Sequence, residues 1–179
     1  MLCFCLSADV TLDPDTANPY LVLSGDGKQV YDGDTIQNLP DNPERFDTCA
    51  CMLGKEGYSS VRFYYEVQVK GKTEWDLGFA RDSINRKGEI KARRPEDGYW
   101  CVVLRNKTPQ KVGVFVDYEE GLVFFYDVDA KSHIYSFTAQ TFTEKLYPLF
   151  SPCFNDGGEN SAPLIICPVH QNIIMKYLF

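Results

Sequence analysis

Between Arg62 and Val69 apolar and polar side chains alternate: Phe63, Tyr65, Val67 and Val69 against Arg62, Tyr64, Glu66 and Gln68. A period of two is the repeat of an extended chain, whose successive side chains leave opposite faces, so a strand with one dry and one wet side is predicted here. Lys70-Gly71-Lys72 reads as a turn. Trp75, Leu77 and Phe79, set against Asp76 and Gly78, continue the pattern, and the two runs together predict a hairpin. The same alternation marks Tyr99 to Leu104, Lys111 to Val116, Leu122 to Tyr126 beyond the turn Asp117-Tyr-Glu-Glu-Gly121, and Ile134 to Phe137. Earlier, Tyr20 to Leu23 and Gln29 to Tyr31 flank the turn Ser24-Gly-Asp-Gly27, and Pro163 to Cys167 closes the series. Helical periodicity is confined to one expected turn, Phe142 to Leu146, capped by Thr141. Many short strands between turns predict an all-β chain folded as a two-layer antiparallel β-sandwich.

The 179 residues suit one domain and suffice to bury a core without staples. Eighteen Lys+Arg against 25 Asp+Glu leave a net charge of −7, which opposes both nucleic-acid phosphates and anionic membranes, so neither is an expected partner. No run approaches the ~18 apolar residues of a spanning helix. The apolar start, Met1 to Leu6, lacks the basic leader and length of a signal peptide. The seven cysteines (Cys3, Cys5, Cys49, Cys51, Cys101, Cys153 and Cys167) are odd in number and form no CxxC pair. His133 and His170 stand far from the two CxC pairs, so no metal is expected, and the thiols read as reduced residues of a cytoplasmic protein.

No residue pattern points to catalysis. The serines form no nucleophile elbow, and the glycines of Gly25-Asp-Gly27 and Gly157-Gly158 precede no Lys-Ser/Thr and no helix. His133 falls in a strand. Asp117, Glu119 and Glu120 have too few companions for a calcium loop and read as a solvated turn. Asn106-Lys-Thr108 fits a glycosylation signal, which a reduced compartment leaves unused. Arg86 to Arg94 is a basic loop. The chain is expected to be neither an enzyme nor the holder of a cofactor.

Several phrases carry a resemblance. Val10-Thr-Leu-Asp-Pro14, then Arg45-Phe-Asp47 with Leu53-Gly54, resemble a PRY segment. Phe63-Tyr-Tyr-Glu-Val67, Trp75-Asp-Leu-Gly-Phe-Ala80, Asn85-Arg-Lys-Gly88, Val112-Gly-Val-Phe-Val-Asp-Tyr-Glu-Glu-Gly121, Val123-Phe-Phe-Tyr126 and Leu146-Tyr-Pro-Leu-Phe-Ser-Pro152 resemble a SPRY domain, in the right order. The whole is similar to the PRY-SPRY (B30.2) domain of tripartite-motif ubiquitin ligases, butyrophilins and certain fish immune receptors. It implies a domain over residues 9–169, with PRY at about 9–57 and SPRY at about 58–169, flanked by tails 1–8 and 170–179. One departure stands out. Only residues 101–111 separate Trp100 from Val112, where family members usually carry a further strand and a long loop. A missing strand is expected to leave a neighbour with an open edge or to make the sheet re-pair.

The resemblance implies a protein-interaction module that grips its target with loops at the sandwich end, as the recognition part of an innate-immune or ubiquitin-ligase-type protein. Matched position by position, it gives Asp76 within Trp-Asp-Leu-Gly, and Phe154 and Asn155 in a loop that often supplies an aromatic and an amide. Val103 and Arg105 stand where some relatives carry tryptophans. The structural alternative for Asp76 is a strand-end acid satisfied by backbone amides, and for Phe154 it is core packing. Residues 44–58, with Cys49, Cys51 and Met52, form a further candidate loop if exposed. A phosphorylated-ligand sensor of butyrophilin type is the alternative, requiring Arg62, Arg81, Arg93 and Arg94 to converge. A degenerate, non-functional copy is a third. No RING, B-box or coiled coil lies in these residues, so neither ubiquitin transfer nor an oligomer is expected of them.

Overall fold

A computed structural model describes residues 6–60, 62–105 and 109–169. In chain order its strands are β1 (Leu6–Ser7), β2 (Leu21–Leu23), β3 (Gln29–Asp32), β4 (Met52–Leu53), β5 (Arg62–Gln68), β6 (Glu74–Arg81), β7 (Tyr99–Arg105), β8 (Lys111–Asp117), β9 (Leu122–Asp127), β10 (Ser132–Phe137), β11 (Leu146–Ser151) and β12 (Leu164–Cys167). One 3-10 turn, Pro95–Asp97, precedes β7. The larger sheet runs β10-β9-β8-β5-β12-β3-β2, with β1 parallel on β5; the smaller runs β4-β11-β6-β7. The two-layer antiparallel sandwich read from the alternation is the fold observed.

β5 and β6 do not form the expected hairpin. β5 pairs with β8 and β12 in the larger sheet, β6 with β7 and β11 in the smaller. Their apolar faces oppose one another across the core: Phe63 and Tyr65 meet Phe79 edge-on, ring centroids 5.2 and 5.6 Å apart. Period two tells which side of a strand is dry but not which strand lies alongside. Each bulky face here needs a second layer, which the crossover through residues 69–73 supplies. Lys72 closes that crossover: its buried ammonium donates to the carbonyls of Asn160 (3.1 Å) and Ala162 (2.8 Å).

The wet side assigned to β5 is also partly dry. Tyr64 and Glu66 are buried, the phenol donating to the carboxylate at 2.9 Å. Tyr64 joins Phe115 in a small cluster outside the larger sheet, with Leu122, Phe124 and Val169 half-buried against it. The inner faces of β8 and β9 carry Val112, Val114, Val116, Val123 and Phe125 instead, packed with Trp75, Phe79 and Trp100. The helical turn expected at Phe142 to Leu146 is absent. Phe142 lies edge-on to Trp100 (4.9 Å) and against Tyr118 (5.3 Å), and Leu146 already begins β11 opposite Arg81. Closing the flank of the sandwich outweighs a one-turn propensity that is weak in isolation.

No described strand lies beyond β7, and β8 pairs with β5 and β9 in the other sheet. Of the two consequences expected from the short Trp100–Val112 interval, the structure takes the open edge. The tail 170–179 and the Asn106-Lys-Thr108 signal lie outside the described residues.

Candidate functional site

Asp76, Val103 and Arg105 share the outer side of the smaller sheet, and Phe154 and Asn155 lie in the loop after β11, next to its rim. Strand alternation turns Trp75, Leu77 and Phe79 inward and Asp76, Gly78 and Ala80 outward. A second apolar cluster, Phe46, Cys51, Leu53, Ala80, Ile84, Tyr99, Cys101 and Leu149, covers much of that outer side beneath the 44–51 and 82–94 loops. Cys51 and Met52 are fully buried, so the 44–58 segment supplies packing there and not soft surface contacts.

Asp76 stands between Ser151 on β11 and Val103 on β7. It is 1% exposed, and its charged partners are two guanidinium groups. Arg93 Nη1 donates to Oδ2, and Arg105 Nη1 donates to Oδ1 at 2.9 Å. Arg93 also donates to Cys51 Sγ at 3.1 Å, and Arg105 lies 3.6 Å from Glu74 Oε2. A carboxylate buried among charged donors positions its neighbours and is not available to touch a partner. Asp76, expected from the sequence to contact a target, is placed here with its carboxylate engaged by Arg93 and Arg105.

Val103 and Phe154 flank this cluster, 48% and 55% exposed. Val103 lies on β7 opposite Asp76, and Phe154 lies in the loop three residues past Ser151, the β11 residue opposite Asp76 on its other side. Phe154 is not core. Its loop leaves β11 through Cys153 at φ 57, whose thiol lies 3.9 Å from Asp76 Oδ1. Asn155 holds the loop to the PRY segment: its N–H donates to Asp32 Oδ2 at 2.8 Å and its amide donates to Asp34. That amide is engaged within the fold.

Sequence reasoning missed Asn160, which is buried and pins the same loop. Its amide donates to the carbonyls of Pro152, Phe154 and Glu74 at 2.9–3.1 Å, and its Oδ1 accepts the N–H groups of Thr73 and Glu74. An Asn followed by Ser-Ala-Pro carries no signal of this. The sequence marks Arg93 only as part of a basic loop or ligand pocket; its partners come from β4's approach and from β6, far off in sequence.

The four arginines of the ligand-sensor reading do not all converge. Arg62 pairs with Asp117 on the larger sheet, Arg93 with Asp76, and Arg94 with Asp97 at 3.0 Å. Arg81, 3.9 Å from Glu144, shares one surface cavity with Arg94 and Lys91, but Glu89, Glu96 and Asp97 line it too. His133 meets Ser136 Oγ at 2.6 Å on β10.

Three thiols beneath the patch make its stability depend on pH. Burial pushes Cys51 and Cys101 up to about 12, with Arg93 countering and Asp76 reinforcing the shift. Burial, reinforced by Asp76, pushes Cys153 up to about 11. Below the ordinary thiol value of 9.0 this contribution is whole; it is lost as pH climbs through the folded values, because the unfolded chain ionises first. Burial draws Lys72 down to about 8 from 10.5, which acts oppositely and adds stability across that window. Three thiols outweigh one ammonium. The melting temperature should therefore peak near pH 9 and fall beyond, and Cys101→Ala/Cys153→Ala should flatten the fall. A melting temperature of the parent still climbing at about pH 10.5 contradicts this.

Comparisons with known proteins agree with this architecture. Residues 10–58 match PRY, the SPRY-associated domain, and residues 62–110 and 104–165 match the SPRY domain in two overlapping stretches. Human pyrin is 43% identical over 91% of this chain and 23% of its own length. The rat E3 ubiquitin-protein ligase TRIM69 is 45% identical over 89% of the chain and 35% of its own length. Human erythroid membrane-associated protein is 45% identical over 88% and 36%. The chain thus spans well under half of these curated relatives. Among solved structures, the TRIM65 PSpry domain superposes with a TM-score of 0.74 over 91% of both chains at 19% identity, which speaks to the fold. Stonustoxin superposes at 0.69 and 27% identity over 90% of this chain and 29% of its own.

Proposed function

This chain belongs to the PRY-SPRY (B30.2) family, and from that premise we propose that it recognises a protein target through the patch formed by Phe154, Val103 and Arg105 over the buried Asp76. The family is a binding module. The observation that carries the reading is the exposure of Phe154 on a loop that Asn155 and Asn160 hold at fixed points. A large apolar ring held out to solvent by an ordered loop costs little entropy on docking and suits a hot spot. Arg105, half-exposed and already oriented by Asp76 and Glu74, adds a directed donor at the rim.

The parent context belongs to the same proposal. The module serves as the target-recognition part of a longer protein of ubiquitin-ligase or innate-immune type, working in the cytoplasm. Relatives named as a ubiquitin-protein ligase and pyrin support this. No helix of the described residues is long and apolar enough to cross a membrane.

Phe154→Ala tests the docking surface. Removing a central aromatic anchor should weaken target binding by more than about 2 kcal/mol, roughly thirtyfold, while an exposed position leaves stability within about 0.5 kcal/mol. Proximity labelling with the parent and the variant, followed by calorimetry on the recovered target, reads both. A target held equally by the two proteins places the docking surface elsewhere.

A further inference from the structure

The edges of both sheets differ in how they are protected. In the larger sheet β10 carries a bulge between His133 and Tyr135, and β2 is three residues long; in the smaller, β4 is two residues long. Short length and bulges blunt an edge against further pairing. β7 has neither device. It is seven residues long, Tyr-Trp-Cys-Val-Val-Leu-Arg, with no proline and an unbroken register to β6.

The phase of that ladder says which backbone groups are free. Arg81 donates its N–H to the Gly98 carbonyl at 2.9 Å. Antiparallel pairs alternate between bonded and non-bonded, so Trp100, Val102 and Leu104 turn their peptide groups to β6. Cys101, Val103 and Arg105 turn theirs outward, where no described strand receives them. The N–H of Tyr99 is taken by the Arg94 carbonyl, so the open stretch begins just after it.

We propose that this edge pairs with the same edge of a second copy, antiparallel about a two-fold axis at Val103. The sequence is self-complementary in that register. Val103 meets its own counterpart, and Cys101 faces the partner's Arg105. The outward peptide groups of Cys101, Val103 and Arg105 all find partners. Arg105 is the single charged residue of the strand and its side chain is neutralised by Glu74 and Asp76. The two copies of Arg105 stand about 13 Å apart along the strand direction, so no like charges oppose at the join despite the net charge of −7. The two small sheets become one continuous sheet. The outward Val103 and Arg105 side chains of both copies then lie on one face of it, which makes the assembly bivalent for a repeated target. This goes against the oligomer-free expectation drawn from the lack of a coiled coil, because a sheet edge is an independent route. It uses the backbone of β7 and stands or falls separately from docking at Phe154.

Sedimentation equilibrium of the whole chain, of Val103→Lys, of Val103→Asp and of the two variants mixed tests the register. Val103 is half-exposed, so the variants should keep the parent's melting profile, which dichroism checks. The parent should form a dimer. Each variant alone, with like charges opposed at the axis, should dimerise at least about tenfold more weakly, and the mixture should regain the parent's affinity. A parent that stays monomeric throughout, a lysine variant that dimerises like the parent, or a mixture no tighter than its components each overturns the proposal.

Discussion

Asp76→Ala should cost about 3–5 kcal/mol of folding stability, because it strands a buried guanidinium. Arg93 would keep its charge under the loops with its Nε already unpartnered, and Arg105 would lose its anchoring acceptor. Replacing both charges should be cheaper than the sum of the single changes, since Arg93→Met/Asp76→Ala removes the pair and leaves no orphan. Urea denaturation of the parent, both singles and the double gives the cycle. A loss under about 1 kcal/mol for Asp76→Ala would mean that the cluster is not the scaffold of the patch. The substitution would weaken target binding through lost stability as well as any lost contact, so Phe154→Ala, not Asp76→Ala, is the diagnostic change for contact.

Gly78→Ala should be as damaging for a purely steric reason. A Cβ at that position would collide with the Trp100 carbonyl oxygen and come 2.5 Å from the Cys101 Cα. Both belong to the backbone of β7, which cannot withdraw without breaking the β6–β7 ladder, and the Gly78 carbonyl is also the acceptor of the buried Tyr65 hydroxyl at 2.9 Å. A loss above about 4 kcal/mol is expected, enough to remove a cooperative transition from a domain of ordinary stability. Gly25→Ala, with nothing within 4 Å of the added carbon, serves as the neutral control. A Gly78→Ala protein melting like the Gly25→Ala control would show that β7 does not pack on β6 as described.

The strands were legible because their side chains repeat every two residues and their turns carry Gly, Asp and Pro. Which strands pair was not. Arg62 to Gln68 and Glu74 to Arg81 follow each other in sequence and lie in different sheets, since alternation reports burial and not neighbours. The helical expectation at Phe142 fails because a five-residue window holds no trace of Trp100 and Tyr118, the rings it covers. The candidate residues came from motif resemblance, and the structure places Asp76, Val103, Arg105, Phe154 and Asn155 in one region. Their division of labour was hidden. Asp76 is buried by arginines from a distant loop and from the adjacent strand, and Asn155 is engaged by two aspartates of the PRY segment. Long-range convergence of that kind leaves no local pattern to read.

On the proposed function, the surface over Asp76, and not the core or another rim, meets the target. Proximity labelling in cells with the intact chain, set beside a Phe154→Ala/Arg105→Ala chain matched for abundance and melting temperature, addresses it most directly. Loss of a defined set of labelled proteins from the double variant is the predicted result. An unchanged labelling profile from a variant that folds as well as the parent would contradict it.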